Sequence, residues 1–326
     1  MTPPLTAGAP PAVFPLLADG SLRLECAPAL VPLLRRWLPL LPYTETLRSH
    51  PAAAIRIGAG DPARVAPAAG APGLRLGTVH THVDGTGERA TLHAAGCAGV
   101  VDLAGISAEL VVDGGGDPEA VVWDVYAACT LACGLLLGRL RRALVHAAAV
   151  VSPGGGAWLL AGDTHAGKST TCVNLVTAGW RFVSDDHGVL FRDGSGKVAV
   201  EGWPRRFHLD EGWEHGLPGR LRGEVDPHQR WPGQWLRAAP LAGLLFPRVD
   251  AERPTELSPL PAADALGALM RQSPWLLGDR AQAPEILALL RSVCERPAYT
   301  LRLGLDTYRD TDRLVEVLRP VIGGGS

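Results

Sequence analysis

The chain has 326 residues, 47% hydrophobic and 20% charged, which excludes a disordered polymer and fits one large or two modest buried domains. A formal net charge of −2 gives no basic field for nucleic acid or for an acidic membrane surface. Six cysteines without a C-x-x-C pair read as buried thiols rather than a disulfide framework, so a reducing, cytoplasmic setting is expected.

The Pro-rich opening lacks the basic start of a signal peptide. Residues 21–25 alternate like a strand, and 29–41 have the composition of a short helix bounded by prolines. Strand-like runs at 54–57, 74–83, 90–92 and 108–112 are separated by Gly and Pro, with 58–73 a loop. They predict a small mixed or mostly antiparallel sheet, the core of a smaller α+β region over residues 1–118. His80, His82 and His93 lack a cysteine or carboxylate in ligand spacing, so exposed strand histidines are expected rather than a metal site.

Residues 117–142 carry the first strong helical signal. Asp117-Pro118-Glu119 starts it, Val122, Val125, Tyr126, Cys129, Ala132, Cys133 and Leu136 recur at helical spacing, and Arg139, Arg141 and Arg142 suit its C-terminus. The longest apolar run, near 131–137, is too short to span a bilayer, so no membrane partner is expected. A strand at 143–151 containing His146 follows, then the turn 152–156 and an apolar strand at 157–161.

That strand opens the most informative stretch. Gly162-Asp163-Thr164-His165-Ala166-Gly167-Lys168-Ser169 fits G-x-x-x-x-G-K-[ST] at every fixed position. A helix follows at 170–178, with Gly179 placed to stop it. A strand turning through glycines into a helix N-terminus aims backbone N–H groups and a helix dipole at one point, where a phosphate binds. The expected nucleotide contacts run from Gly162 to Thr170, with Lys168 on the outer phosphates and the Ser169 hydroxyl on Mg²⁺. The loop alone implies a nucleoside triphosphate, with Mg²⁺, as cofactor. A second short strand, 180–184, ends in Asp185-Asp186, 18 residues beyond Lys168. If the two strands are parallel neighbours, both carboxylates lie beside the loop. One can hold the metal and the other can accept a proton from an attacking hydroxyl.

The run GDTHAGKSTTCVNLVTAGWRFVSDDHGVL resembles the catalytic core of the HPr kinase/phosphorylase family, whose P-loop domain is related to phosphoenolpyruvate carboxykinase. That family reads roughly G-D-S-G-x-G-K-S-E, a helix, a glycine and a strand ending in D-D, with a histidine-bearing strand about twenty residues upstream. Here Leu144-Val145-His146-Ala147 supplies the histidine, 22 residues before Lys168, and the resemblance covers roughly residues 140–195. It implies that Lys168 and Ser169 bind phosphate and metal, that Asp186 is the general base, and that His146 is a supporting active-site histidine; Asp185 is then the carboxylate expected to serve the metal. His165 departs from the family's small loop residue, Thr170 from its glutamate and Ala147 from its glycine. The family's downstream E-I-R-G-x-G segment has no copy, which leaves Glu211, 43 residues past Lys168, as candidate for the missing metal carboxylate.

A hairpin turn at 192–197 leads into a strand at 198–200. Residues 201–235 hold Trp203, Phe207, Trp213, Trp231 and Trp235 with weak periodicity and read as a lid or substrate loop. Arg205 and Arg206 there could reach a phosphate or an acidic peptide. A strand at 241–246, helices at 262–270 and 284–294, a strand at 298–303 and an amphipathic helix at 310–318 complete the chain before a glycine tail. The expected fold is α/β, a phosphoenolpyruvate-carboxykinase-like P-loop kinase domain over 119–326 beside the α+β region. The expected function is an ATP-dependent kinase acting on a hydroxyl, a serine of a small protein or peptide, as the resemblance to HPr kinase implies. A small-molecule kinase and a non-catalytic nucleotide-binding regulatory protein are the alternatives. A nucleotide and a peptide or small protein are the expected partners, and the sequence admits a homo-oligomer.

Overall fold

Strand-forming patterns dominate the first hundred residues, and in the computed structural model they close into one sheet. The structure describes residues 10–38, 41, 51–66, 70–114, 118–203, 205–210 and 222–322. Two units emerge, Met1–Arg142 with Pro274–Ile286, and Ala143–Ser273 with Leu287–Ser326; each is mixed α/β.

In the first unit, β1 (Ala12–Pro15), β2 (Leu22–Cys26), β3 (Ala53–Ala59), β4 (Gly70–Leu76), β5 (Val79–Asp84), β6 (Arg89–His93), β7 (Cys97–Asp102) and β8 (Ser107–Val112) make an eight-stranded sheet. Its order is β1-β2-β3-β8-β7-β6-β5-β4, with β2, β3 and β8 parallel and the other neighbours antiparallel. The run expected as one strand at 74–83 is instead a hairpin. Gly77, at φ 57, supplies the left-handed residue that turns it. A short helix α1 (Val31–Trp37) and the long α2 (Pro118–Arg139) accompany the sheet, α2 lying against β3, β7 and β8. Asp124 on α2, only 5% exposed, accepts the Gly96 N–H at 2.7 Å and the Thr78 hydroxyl, pinning helix to sheet. The residues Val121–Arg139 are long and apolar enough to cross a membrane, and 83% of that window is buried, so packing accounts for their character. α2 packs on the first sheet, and the first unit runs to Arg142. Pro274–Ile286 joins this unit, with Asp279 holding Arg139 at 2.5 Å and buried Trp275 set against Gly134.

The second unit contains β9 (Ala143–Val151), β10 (Ala157–Ala161), α3 (Lys168–Thr177), β11 (Arg181–Ser184), β12 (His187–Arg192), β13 (Val198–Gly202), β14 (Phe207–Asp210), β15 (Arg222–Val225) and α4 (Pro227–Arg230). It continues through β16 (Ala238–Val249), β17 (Glu256–Pro259), α5 (Ala262–Arg271), the end of α6 (Ala283–Val293), β18 (Ala298–Leu303), α7 (Leu305–Arg309) and α8 (Thr311–Ile322). Its main sheet runs β10-β9-β12-β13-β16-β18-β17, and a parallel β10–β16 pairing closes the path on itself. Within β9 every residue is buried except His146.

Two expectations are corrected here. β10 and β11 run parallel but are not neighbours, because both pair antiparallel with β9, Trp158 and Phe182 each lying opposite Val150. The turn at 152–156 folds β10 back on one edge of β9, and α3 carries the chain across to the other. The described aromatics of the stretch expected as a lid serve as scaffold. Phe207 and Trp231 pack with Trp158, Trp180, Phe182 and the apolar face of α3, while Trp203 is 1% exposed. Trp213 lies outside the described residues.

Candidate active site

The loop between β10 and α3 is shaped by its backbone. Gly167 takes φ 96, open to glycine, and a Cβ there would stand 2.7 Å from Leu303 Cδ1. His165 also has positive φ, 65°, a strained state for a residue with a side chain. The Ala166 N–H donates to Asp163 O at 3.1 Å, and Gln272 Nε2 donates to Asp163 Oδ1 at 3.0 Å. Lys168 Nζ folds back on the loop, donating to Gly162 O at 2.7 Å and Asp163 O at 3.0 Å. Burial lowers the Lys168 pKa, against the pull of Asp186, Asp185 and Asp163. No side chain caps α3, so its first N–H groups and its dipole are available to an anion.

Asp185 and Asp186 occupy the short break between β11 and β12, where the Asp186 and His187 N–H groups donate to Ser184 Oγ at 3.4 and 3.2 Å. The β9–β12 register sets His187 opposite His146, which brings both imidazoles to Asp186. His146 Nε2 lies 3.1 Å from Asp186 Oδ1, His187 Nδ1 lies 2.8 Å from Oδ2, and Arg205 Nη1 also bonds Oδ2. Burial disfavours the Asp186 charge, but His187, Arg205 and His146 outweigh it and hold the carboxyl well below its usual range. His187 is itself lowered by burial, against the pull of Asp186. Asp185 goes the other way. Burial and the adjacent Asp186 charge push it up to about 7, against a hydrogen bond from Ser169 and the charges of Arg205 and Lys168.

The Ser169 and Asp185 side chains expected to share Mg²⁺ are thus joined to each other, and Asp185 Oδ1 is buried without a hydrogen-bond partner. That orphaned hard oxygen beside a hydroxyl suits a divalent cation, which would also neutralise a buried carboxylate. Among the described residues no group of three His, Cys, Asp or Glu could hold a metal, so further ligands would have to be phosphate oxygens and water. Glu211 lies outside the described residues. His80 and His93 are cross-strand partners in the first unit, without a third ligand.

A cavity of about 420 Å³ opens above the loop. His146, Thr164, His165, Gly167, Lys168, Ser169, Thr170 and Asp186 line it, while Gly162, Asp163, Ala166 and Asp185 are absent from its walls. Residues unforeseen from sequence also line it: Thr171 and Asn174 from α3, His208 from β14, and a C-terminal group around Val249 and 303–308. Polar side chains buried on α3 were the one available signal for the first two. Arg205, expected to reach a phosphate or a peptide, instead clamps Asp186, and Arg206 pairs with Glu224 at 2.8 Å.

No family model and no curated protein matches the chain. Among solved structures it is similar to the Hpr(Ser) kinase/phosphatase from Coxiella burnetii, at 12% sequence identity and a TM-score of 0.33, over 56% of this chain and 99% of that one. A likeness that distant transfers nothing from that protein to this chain.

Proposed function

We propose that the chain is an ATP- and Mg²⁺-dependent phosphotransferase of P-loop type that phosphorylates a hydroxyl, a serine of a small protein or peptide. One observation supports this reading: the Gly167-Lys168-Ser169 loop and the histidine-supported Asp186 share one cavity. Lys168 and the first N–H groups of α3 would hold the outer phosphates in line. Ser169 and Asp185 would hold Mg²⁺, which supplies charge neutralisation on the transferring phosphoryl group. Asp186, kept ionised by its three donors, would receive the hydroxyl proton, with His146 steadying Oδ1. The phosphoenolpyruvate-carboxykinase-like fold class and the resemblance of the loop region to HPr kinase belong to the same proposal.

The test is transfer. The purified chain, incubated with γ-labelled ATP, Mg²⁺ and an extract of its native host, should label a protein or peptide on serine, and Lys168→Ala should abolish that label. Labelling of a small molecule alone would move the assignment to a small-molecule kinase.

The non-catalytic alternative has one observation behind it. Arg205 and His187 both occupy Asp186 Oδ2, an arrangement that lowers the proton affinity a base needs. ATP binding without transfer to anything in the extract would favour it.

A further inference from the structure

Among the described residues the exposed large hydrophobics are Trp123, Val249 and Leu305. Val249, 56% exposed, and Leu305, 39% exposed, stand in the wall of the same cavity that holds the phosphate loop. Leu303 and Tyr308 continue that wall. It starts where the loop ends, since a Cβ built on Gly167 would lie 2.7 Å from Leu303 Cδ1 and 3.3 Å from Val249 Cγ2.

The turn that presents the wall is locked by its own polar groups. Thr255 donates to Asp306 through N–H at 3.0 Å and through Oγ1 at 2.7 Å. The Thr255 and Thr307 hydroxyls are 2.7 Å apart, and the Gly304 N–H donates to Thr255 Oγ1 at 2.9 Å. Those hydroxyls and that carboxylate are committed to the turn, which leaves the wall chiefly apolar. Thr171 also lines the cavity; it is 1% exposed and its hydroxyl has no hydrogen-bond partner. A buried orphan hydroxyl is costly unless a ligand meets it.

Resting on the phosphate-loop reading, we propose that the Val249–Leu303–Leu305–Tyr308 wall seats the base of the bound nucleotide through apolar contact, with the Thr171 hydroxyl meeting a polar atom of the nucleoside. An apolar wall rewards a flat ring without reading its edge. The site therefore separates nucleotides from bare polyphosphate but separates adenine from guanine poorly.

The full chain would be titrated by calorimetry with tripolyphosphate, ATP and GTP, each with Mg²⁺, beside Val249→Ala/Leu305→Ala, Thr171→Val and Lys168→Ala. Wild type should bind ATP and GTP within about threefold of each other and at least tenfold more tightly than tripolyphosphate. The double variant should lose about tenfold for both nucleotides and nothing for tripolyphosphate. Thr171→Val should weaken nucleotides alone. Both wall residues are exposed, so an unchanged thermal midpoint will show that the fold is intact. If tripolyphosphate binds as tightly as ATP, or the double variant keeps the wild-type ratio, the wall does not seat the base while the phosphate loop stands. A preference between ATP and GTP above about tenfold would overturn recognition by apolar contact. If no polyphosphate binds and Lys168→Ala changes nothing, the phosphate-loop reading falls and this inference with it.

Discussion

At the scale of single residues, the fold drives two adjacent carboxylates in opposite directions, and pH separates them. Asp185 is raised to about 7, so relative to an unfolded value near 4 the folded chain favours its proton. Its contribution to stability is full below about pH 4 and is lost as pH rises to about 7, a change on the order of a few kcal/mol. Asp186 is lowered, so its contribution is full above about pH 4 and is lost as pH falls further. Thermal midpoints measured without Mg²⁺ or nucleotide should therefore fall between pH 4 and 7 in wild type, and Asp185→Asn should flatten that fall. A wild-type profile unchanged by Asp185→Asn would contradict the buried, proton-retaining Asp185. The same variants should divide in chemistry. Asp186→Asn should keep ATP·Mg²⁺ affinity within a few-fold while single-turnover transfer drops about 10²- to 10⁴-fold. Asp185→Asn should shift the Mg²⁺ midpoint upward and recover partial activity at high metal. Transfer by Asp186→Asn at the wild-type rate would remove it as the base.

At the scale of elements, the loop between β10 and α3 depends on the left-handed Gly167. An alanine there meets both a disfavoured φ and Leu303, so Gly167→Ala should cost about 1–2 kcal/mol and weaken tripolyphosphate binding about tenfold or more. Gly194→Ala, on an open turn with nothing within 4 Å, is the control that should change neither binding nor thermal midpoint. The loop and α3 were legible because they follow from a local sequence pattern, whereas the aspartate pair reaches them only through β9, which lies between β10 and β11. His146 was singled out only by the resemblance, whose upstream histidine it matches, and it is the one position of β9 that is not buried. The apolar wall was not legible. Val249 and Leu303 meet only through the parallel β16–β18 register, which no local pattern encodes. The aromatic stretch misled for a different reason. Trp and Phe are as suited to a core as to a lid, and Phe207 and Trp231 become core only by packing on α3 and β11. Arg205 was expected on a phosphate or a peptide; its partner is instead Asp186, which composition does not reveal.

At the scale of the whole molecule, all six cysteines are free and buried, and burial lifts Cys26 and Cys97 to about 12 and Cys294 to about 11. The native chain should react with a thiol-specific dye only as fast as it opens, and all six should react at once in denaturant. A rapidly titrating thiol in the native state would contradict that burial. The division of the chain has its own effect on synthesis. Pro274–Ile286 belongs with the first unit, yet the whole of Ala143–Ser273 is translated before it. The first unit therefore waits, on the order of ten seconds at ordinary elongation rates, for its own last segment. Meanwhile the part of α2 that Trp275 later covers at Gly134 stands open on a nascent chain. A fragment ending at residue 142 should accordingly bind a hydrophobic dye and aggregate, and fusing residues 274–286 to it should relieve both.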